Sequence, residues 1–544
     1  MGKENPVEER LHLEKPKAPC REACPAGIDV PRYIRHLREG RFAEALRVIR
    51  ERIPFPSVCG HACVHPCEQK CARVQLDEAV AIRMLKKVAA ERGGDKPVRV
   101  SPAPPTGKRV AVVGSGPCGM TAAYTLNALG HRVTVYESLA KPGGMLTYGI
   151  PGYRLPDKVV EKEIARIVAS GVELVLRRRI VSAEALKKKG FDAVLAATGA
   201  WKPLKMGIPG EASRRVIDGI AFLKEVNEGK ALTIGTRVVV VGGGNTAIDS
   251  SRAARRLGAE VILLYRRTRA EMPAAAEEVA EAAEEGVRIV FLTTPVRIAR
   301  GKVTCVAMKL GEPGPDGRPV PVPQPGSEHA FAFDILIMAV GQAAEASAVG
   351  LPAQRNGAVR VKGSGSSTTK KGIFAAGDAV MGPSSIIEAI AQGRLAAEAI
   401  DRFLGGDGLL REEKKRQPAG EPPEAAPRGT MRPVTASISL PKRLTSFAPV
   451  ERTLGPAAAA AEASRCLSCD WVDYEVTVNE LLCKDCGYCR EICTMGVFAQ
   501  SGRFNPAGYL PAVAAHAERC VGCLRCLYIC PDFSIAIRQK ASGS

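Results

Sequence analysis

Two stretches of the chain share one pattern of apolar and small residues. They read "RVAVVGSGPCGMTAAYTLNALGHRVTVYE" at 109–137 and "RVVVVGGGNTAIDSSRAARRLGAEVILLYRR" at 237–267. Each has an apolar run, closely spaced glycines, an Ala-rich segment and a second apolar run. Short uninterrupted apolar runs are typical of strands buried on both faces of a parallel sheet. The pattern therefore predicts two strand–turn–helix–strand repeats.

Other segments predict further elements around these repeats. "AVLAATGA" (193–200), "DILIMAVGQ" (334–342) and "GIFAAGDAV" (372–380) each indicate a buried strand that ends in small residues. Residues 30–53 favour amphipathic helices before a Pro-rich break at 101–108. Residues 404–460 are rich in Pro, Ala, Gly and charge, which predicts a long surface connection.

The first repeat carries a dinucleotide-binding pattern. Gly114 permits the tight turn, Gly116 lets the backbone approach a pyrophosphate, and Gly119 allows close helix–strand packing. Glu137, at the end of the second strand, is placed to accept a hydrogen bond from a ribose hydroxyl. The alternative, a purely structural glycine turn, does not explain the acidic residue.

The second repeat has Gly242, Gly244 and Ala247 at the same spacing. Its second strand ends in Arg266 and Arg267, with no acidic residue for a 2′-hydroxyl. Two guanidinium groups suit a 2′-phosphate, so NADPH is favoured over NADH. The alternative is that these arginines are a solvated strand end.

Eighteen cysteines indicate metal or redox chemistry. The N-terminus is charged and lacks the apolar core of a secretory signal, and no apolar run is long enough to span a bilayer. We therefore expect a soluble, cytoplasmic protein without a disulfide scaffold. Sixteen cysteines fall within 20–71, 466–469 and 483–530, whereas Cys118 and Cys305 stand alone and are interpreted as packing residues.

The last two cysteine runs have the spacing of a bacterial two-cluster ferredoxin, in which the fourth cysteine of each run ligates the other cluster. Zinc is the alternative for any single C-x2-C pair, but two interleaved runs favour [4Fe-4S] clusters. The expected ligands are Cys483, Cys486, Cys489 and Cys530 for one cluster, and Cys493, Cys520, Cys523 and Cys526 for the other.

The net charge of +20 limits the choice of partners. Residues 470–544 are slightly acidic, so the excess positive charge lies in the rest of the chain. A basic body favours an acidic protein partner or the chain's own tail. Its basic residues are dispersed and aromatics make up only 5% of the chain, which argues against nucleic acid.

Several segments resemble the small (β) subunit of NADPH-dependent glutamate synthase. The resemblance runs in order from about residue 18 to 405 and extends to the N-terminal half of dihydropyrimidine dehydrogenase and to the large subunit of NADH-dependent ferredoxin:NADP oxidoreductase. The segments are "KPGGMLTYGIPGYRLP" (141–156), "YRRTRAEMPA" (265–274), "FAAGDAV" (374–380) and "GPSSIIEAIAQGRLAAEAI" (382–400).

The resemblance implies an α/β fold with two dinucleotide-binding (Rossmann-like) domains. It implies an N-terminal helical iron–sulfur domain (1–100), an FAD domain (108–205 with 331–405) and an inserted NAD(P)H domain (206–330). A linker (406–470) leads to an α+β bacterial-type ferredoxin domain (471–544). The implied nucleotide-binding residues, besides the glycine motifs, are Glu137, Gly144, Met145, Asn245, Thr246, Gly377 and Asp378, with Gly144 and Met145 near the flavin ring.

The family also carries [4Fe-4S] clusters in its N-terminal domain. Its members normally have a C-x-x-C pair just before the equivalents of Cys20 and Cys24, and this chain lacks that pair. We hypothesise that Cys466 and Cys469, in "EASRCLSCD", return to complete a second N-terminal cluster; the alternative is one cluster with spare thiols. The N-terminal candidate ligands are Cys20, Cys24, Cys59, Cys63, Cys67 and Cys71.

Three functions are compatible with these features. The first is an NAD(P)H-dependent flavin and iron–sulfur subunit that exchanges electrons with a partner redox protein. The second is a self-sufficient or bifurcating ferredoxin:NADP oxidoreductase, and the third is a non-catalytic electron-transfer adaptor. Hydride transfer to a flavin needs proximity rather than a side-chain acid or base, so we expect no catalytic residue. The NAD(P)H domain contains no C-x-x-C for disulfide reduction.

Overall fold

The computed structural model describes residues 18–94, 103–314, 317–363, 365–410, 424–470, 474–493, 495–520 and 522–539. Residues 1–17 of the expected N-terminal domain and part of the expected linker lie outside this description.

The N-terminal unit is helical and is organised around buried cysteines. Four of its helices have Pro in the first turn, where the ring costs no hydrogen bond. The unit buries one face of each longer helix, with Tyr33, Leu37 and Val88 fully enclosed. The helices are α1 (Pro19–Glu22), α2 (Val30–Arg38), α3 (Phe42–Arg50), α4 (Pro56–Ala62), α5 (Pro66–Gln69) and α6 (Ile82–Arg92).

The first repeat opens a five-stranded parallel sheet with the order β16-β4-β1-β2-β3, in which β16 (Ile373–Ala375) comes from a later part of the chain. Its central strands are buried along almost their whole length, as uninterrupted apolar runs require. The elements are β1 (Arg109–Val113), α7 (Pro117–Ala128), β2 (Arg132–Tyr136), α8 (Met145–Tyr148), α9 (Asp157–Ala169), β3 (Glu173–Val175), α10 (Ala183–Lys188) and β4 (Ala193–Ala196).

The second repeat forms another parallel sheet, with the order β6-β14-β7-β8-β9, which follows a short strand β5 (Lys202–Pro203). An antiparallel sheet of β10 to β13 extends this unit. The elements are β6 (Val216–Asp218), α11 (Gly219–Asn227), β7 (Arg237–Val241), α12 (Asn245–Arg256), β8 (Glu260–Leu264), α13 (Ala276–Glu284), β9 (Arg288–Val290), β10 (Thr293–Ala299), β11 (Lys302–Pro313), β12 (Pro319–Pro323), β13 (His329–Ala332) and β14 (Ile335–Met338).

The boundary expected at residue 330 is wrong in one respect. Strand β14 pairs in parallel with β7 inside the second sheet, so the inserted unit extends beyond residue 330. The two connections between the units meet where β5 pairs with β15 (Gln342–Ala343). An apolar run alone does not say which of two sheets a strand joins, because both sheets bury it equally.

The chain then returns to the first sheet and afterwards to the N-terminal unit. The expected plain connection contains two helices, and its residues 424–470 pack against the N-terminal helices through buried ion pairs. Arg465 is 1% exposed and bonds Glu462 and Asp77. The elements are β16 (Ile373–Ala375), α14 (Asp378–Met381), α15 (Ile386–Phe403), α16 (Leu440–Thr445) and α17 (Pro456–Ser464).

The C-terminal unit combines short helices and strands. Its first and last strands pair antiparallel, which brings Tyr474 opposite Gln539. The elements are β17 (Tyr474–Val478), α18 (Tyr488–Ile492), β18 (Ala499–Gln500), β19 (Ala512–Val513), α19 (Arg525–Ile529) and β20 (Ile535–Gln539). The expected fold class, with two Rossmann-like sheets between a helical and an α+β unit, is confirmed. Within the described ranges, no helix combines the length and the apolar character needed to cross a bilayer.

We expect the Arg465→Met variant to loosen the returning segment. Glu462 is fully buried and would lose its cationic partner, and breaking a buried ion pair in this way costs about 3–5 kcal/mol. The unfolding temperature of the holoprotein should fall, and limited proteolysis within 424–470 should accelerate. The matched control is Arg428→Met, an exposed arginine of the same segment. Equal unfolding temperatures for both variants would contradict the prediction.

Candidate flavin, nucleotide and iron–sulfur sites

The first glycine motif forms one wall of a cavity of about 300 Å³. Gly114 has φ of 107°, and an added Cβ there would overlap the carbonyl oxygen of Ala197. A Cβ at Gly119 would overlap the carbonyl oxygen of Gly114, so this glycine permits the close packing of α7 on β1. A Cβ at Gly116 would meet nothing within 4 Å. The open side of the turn therefore faces the cavity, which is the geometry that a pyrophosphate needs.

Glu137 lies at the end of β2, at the edge of the same cavity. It is 6% exposed, and its carboxylate accepts hydrogen bonds from the backbone nitrogen and hydroxyl of Ser115, at 3.1 and 2.6 Å. The backbone nitrogen of Leu139 donates to its other oxygen at 2.8 Å. These donors fix the orientation of the carboxylate at the cavity edge. Sequence reasoning missed Ser115, because its role depends on a partner 22 residues away.

The remaining expected flavin residues converge on this cavity from two other segments. Gly144 and Met145 line it, and a Cβ at Gly144 would lie 3.0 Å from the Cα of Gly116. Asp378 also lines it, accepts a hydrogen bond from the Ser384 hydroxyl, and has a pKa raised by burial. Gly377 does not line the cavity but has φ of 67°, with no room for a Cβ beside Cys118. Cys118 itself is buried.

The second glycine motif lines a separate cavity of about 630 Å³. Gly242, Gly244 and Thr246 face it, and Gly244 has open space where a Cβ would lie. Ala247 is fully buried against the sheet, whereas Asn245 points elsewhere and accepts a hydrogen bond from the backbone nitrogen of Ala275. Two of the five expected residues therefore support the turn instead of lining the cavity.

The two expected arginines of this cavity differ in their surroundings. Arg266 is exposed, whereas Arg267 is 6% exposed and its Nε donates to the carbonyl oxygen of Pro319 at 2.8 Å. Lys205 and Arg318 add positive charge to the lining and were missed by sequence reasoning, because they come from distant loops. The cavity is thus cationic beside the end of β8, which suits a phosphate.

Four cysteines line one small cavity, two from the N-terminal helical unit and two from the returning segment 424–470. They are Cys20, Cys71, Cys466 and Cys469. Burial, and then the neighbouring thiols, raise the pKa of Cys20, and burial raises the pKa of Cys466 to about 12. Asp470 accepts a bidentate pair from Arg35 at 2.7 and 2.9 Å, which anchors the second pair of cysteines to α2. The structure therefore brings Cys466 and Cys469 next to the N-terminal cysteines.

A second set lies beside the first and surrounds a buried lysine. Lys86 is 2% exposed, and four thiols lie close enough to raise its pKa against the effect of burial: Cys63, Cys59, Cys67 and Cys24. Together with Cys466 and Cys469, the six N-terminal cysteines thus separate into two sets of four. Cys20 and Cys24, four residues apart, belong to different sets, and so do Cys67 and Cys71.

The C-terminal cysteines also form two sets. Cys483, Cys486, Cys489 and Cys530 line one small cavity. The pKa of Cys526 is raised to about 12, first by burial and then by Cys523, Cys493 and Cys520. Across the described ranges, no three His, Cys, Asp or Glu side chains converge tightly enough for a single metal ion.

These features define a class of protein: an oxidoreductase with two dinucleotide sites and several iron–sulfur sites. Family models agree with each part. Residues 108–393 match the pyridine nucleotide-disulphide oxidoreductase model, residues 11–96 the "dihydropyrimidine dehydrogenase domain II, 4Fe-4S cluster" model, and residues 482–533 the 4Fe-4S dicluster model.

Curated relatives give the same result. The chain is 39% identical to the NADP(+)-dependent formate dehydrogenase subunit beta of Moorella thermoacetica, over 85% of this chain and 72% of that protein. It is 37% identical to the NADPH-Fe(3+) oxidoreductase subunit beta of Geobacter sulfurreducens, over 86% of this chain and 77% of that protein. It is 34% identical to the glutamate synthase [NADPH] small chain of Azospirillum brasilense, over 71% of this chain and 86% of that protein.

The chain belongs to the pyridine nucleotide-disulphide oxidoreductase family, together with the glutamate synthase small chain and these beta subunits. The resemblance noted from the sequence is confirmed. The protein is an NADPH-dependent oxidoreductase whose cofactors are FAD and 4Fe-4S clusters.

The glycine geometry predicts opposite effects for two substitutions. Gly116→Val places its side chain in open cavity space, so it should abolish flavin absorbance while the apoprotein keeps its unfolding temperature. Gly119→Ala should lower the unfolding temperature, because its Cβ overlaps the backbone. Flavin content per protein and thermal unfolding of flavin-free protein measure both effects. Full flavin content in Gly116→Val would contradict the assignment of this cavity.

Proposed function

We propose that this protein is the NADPH-oxidising subunit of a redox complex and exchanges single electrons with a partner protein. One observation carries the proposal: helix α4, which carries Cys59, packs against α9 and α15 of the unit that forms the FAD-type cavity, and the C-terminal sets include an exposed cysteine, Cys486. The printed names of the relatives, two of which are beta subunits, support a separate partner chain.

Each nucleotide cavity supplies binding and orientation. Gly114, Gly116 and the N-terminus of α7 would receive the pyrophosphate of FAD, and Glu137 its ribose. Arg266 would receive the 2′-phosphate of NADPH. When bound, FAD accepts a hydride from NADPH and returns the electrons one at a time. The side chains around the flavin need only hold the nicotinamide and flavin rings close together in the correct orientation and exclude water.

The cysteine sets would hold four [4Fe-4S] clusters. The two C-terminal sets have the composition expected from the ferredoxin spacing. The cavity shared by Cys20, Cys71, Cys466 and Cys469 supports the hypothesis of a second N-terminal cluster over that of spare thiols. The helix α4, which carries Cys59, contacts α9 and α15 of the FAD unit, and Glu163 of α9 accepts from the backbone nitrogens of Ser57 and Val58.

Anaerobic stopped-flow reduction of the holoprotein tests the function. NADPH should bleach the flavin and then the broad iron–sulfur absorbance, and NADH should do so more slowly. A flavin that stays oxidised with excess NADPH would support an electron-transfer adaptor instead. Rapid reduction of added ferredoxin by the isolated chain would support a self-sufficient ferredoxin:NADP oxidoreductase.

Arg266→Ala should weaken the preference for NADPH. A hydrogen bond to a charged group contributes about 1.5–3 kcal/mol, so the KM for NADPH should rise about tenfold to a hundredfold while the KM for NADH changes little. Arg269→Ala, an exposed arginine outside the cavity, is the control. An equal rise of KM for both nucleotides would contradict a 2′-phosphate contact.

The double variant Cys466→Ala/Cys469→Ala should lose about four iron atoms per chain, because a cubane cluster does not persist on two thiolates. Iron and acid-labile sulfide are measured after anaerobic purification. Cys305→Ala is the control, since Cys305 is a buried residue of β11. Unchanged iron in the double variant would restore the single-cluster alternative.

A further inference from the structure

The two nucleotide cavities belong to different units. The cavity of the second glycine motif is lined by residues within 204–342, which form the unit built on the second repeat, here the NAD(P)H unit. The FAD-type cavity is lined mainly by the unit built on the first repeat. Binding of NADPH therefore needs one unit alone, whereas hydride transfer needs both units in a fixed relative orientation.

One contact between the units lies beside the FAD-type cavity. Lys224 of α11 lines that cavity and lies over the Tyr148 ring, 5.6 Å from its centroid. The Asn227 amide, at the end of α11, donates to the carbonyl oxygen of Ile150 at 3.0 Å. A contact at one place does not prevent rotation about it, so the orientation of the NAD(P)H unit depends on a second contact.

The second contact surrounds Tyr153, which follows α8 on the FAD unit and is 1% exposed. Its ring lies against the guanidinium groups of Arg252 and Arg256 of α12, which are 4.8 and 3.9 Å from the ring centroid. The neighbouring Arg154 donates to the buried carboxylate of Asp249, also on α12, at 2.6 Å. Because α12 follows the second glycine motif directly, these contacts hold the helix that positions the nucleotide.

A loop of the returning segment covers this second contact. Residues 436–452 fold back on themselves, since the backbone nitrogens of Ile438 and Arg452 donate to the carbonyl oxygens of Val450 and Ala436. The loop contains α16, which contacts α12. We call residues 436–452 the bridging loop.

The bridging loop contacts three units at once. Phe447 packs against the core of the NAD(P)H unit and against the Tyr153 ring, with 6.2 Å between the ring centroids. The backbone nitrogen of Val450 donates to the carbonyl oxygen of Tyr153 at 3.0 Å. Glu451 accepts a bidentate pair from Arg83 of α6. The loop thus ties α12 and Tyr153 to a helix of the N-terminal unit.

We propose that the bridging loop positions the NAD(P)H unit for hydride transfer and that Phe447 is its principal positioning residue. Phe447 lines neither cavity, so it acts through Tyr153 and α12. The step it serves moves one hydride: NADPH becomes NADP+, and FAD, with one proton from water, becomes FADH2. This inference rests on the oxidation of NADPH in the proposed function.

Anaerobic stopped-flow reduction of the flavin in Phe447→Ala tests the proposal. The rate constant at saturating NADPH should fall at least about tenfold, because a misplacement of about 1 Å can cost about a hundredfold. The NADPH concentration at half-saturation should stay within about twofold, since the loop does not line the nucleotide cavity. Phe447→Leu keeps an apolar contact and should recover most of the rate. The control is Met431→Ala, a residue of the returning segment that is 79% exposed.

Hydrogen exchange of the holoprotein without NADPH provides a readout that is independent of activity. In Phe447→Ala the amides of 150–156 and 440–451 should exchange faster as the contact opens, whereas those of the buried strand β7 should not change. Four results would each overturn the proposal: unchanged exchange, an unchanged or increased rate at saturating NADPH, a rise in the half-saturating concentration alone, or equal effects in Met431→Ala.

Arg443→Ala keeps the test decisive if Phe447→Ala loses its FAD. Arg443 of α16 donates to Glu284 of α13 at 3.0 Å, which is another contact between the loop and the NAD(P)H unit. Its loss should lower the rate at saturating NADPH about threefold with unchanged flavin content, and an unchanged rate would contradict the proposal. If NADPH does not reduce the unmodified protein, the proposed function fails, and the exchange result alone decides whether the loop holds the unit.

Discussion

Two buried arginines join segments that lie almost 400 residues apart, and the cysteine site that includes Cys466 and Cys469 depends on them. Arg73 and Arg465 both bond the carboxylate of Asp77, whose pKa is held well below its usual range, chiefly by the hydrogen bond from Arg73. Arg73 also donates to the backbone carbonyls of Ala426 and Pro427. Since Cys466 follows Arg465 directly, this network brings the returning cysteines to Cys20 and Cys71. Buried charges are stable only when paired and hydrogen-bonded, so the network tolerates few alternative arrangements.

Burial of thiolates imposes a second electrostatic constraint. Iron binding requires deprotonated thiols, yet burial raises the pKa of Cys20, Cys67 and Cys469. Lys86 supplies a compensating positive charge inside one set, and its own pKa is raised by the four thiols around it. The other body set has the Arg35–Asp470 pair at its edge. Part of the large excess of Lys and Arg in the chain is thus used to balance buried negative charge.

Local patterns predicted much of this architecture, and long-range contacts explain what they did not predict. The two glycine turns follow from spacing, because each glycine meets a steric demand set within its own repeat. The division of Cys20 from Cys24 does not follow from spacing, since Cys20 lies in α1 and Cys24 follows the end of this helix, so the two thiols are not held to one face. The same limit applies to β14, which an apolar run could place in either sheet, and to Ser115 and Arg318, which act through residues far along the chain.

The order of the sites in space differs from their order in the sequence. From the FAD unit, the first cysteine set is that of Cys59, on α4, and the next combines Cys20 and Cys71 with Cys466 and Cys469 from the returning segment. A site whose cysteines come from both the N-terminal unit and the returning segment can form only after the chain has been synthesised as far as Cys469. The entropic cost of closing so long a loop grows only with the logarithm of its length, so ion pairs of a few kcal/mol can offset it. The returning segment therefore makes completion of the N-terminal site conditional on the stretch of chain that leads into the C-terminal unit.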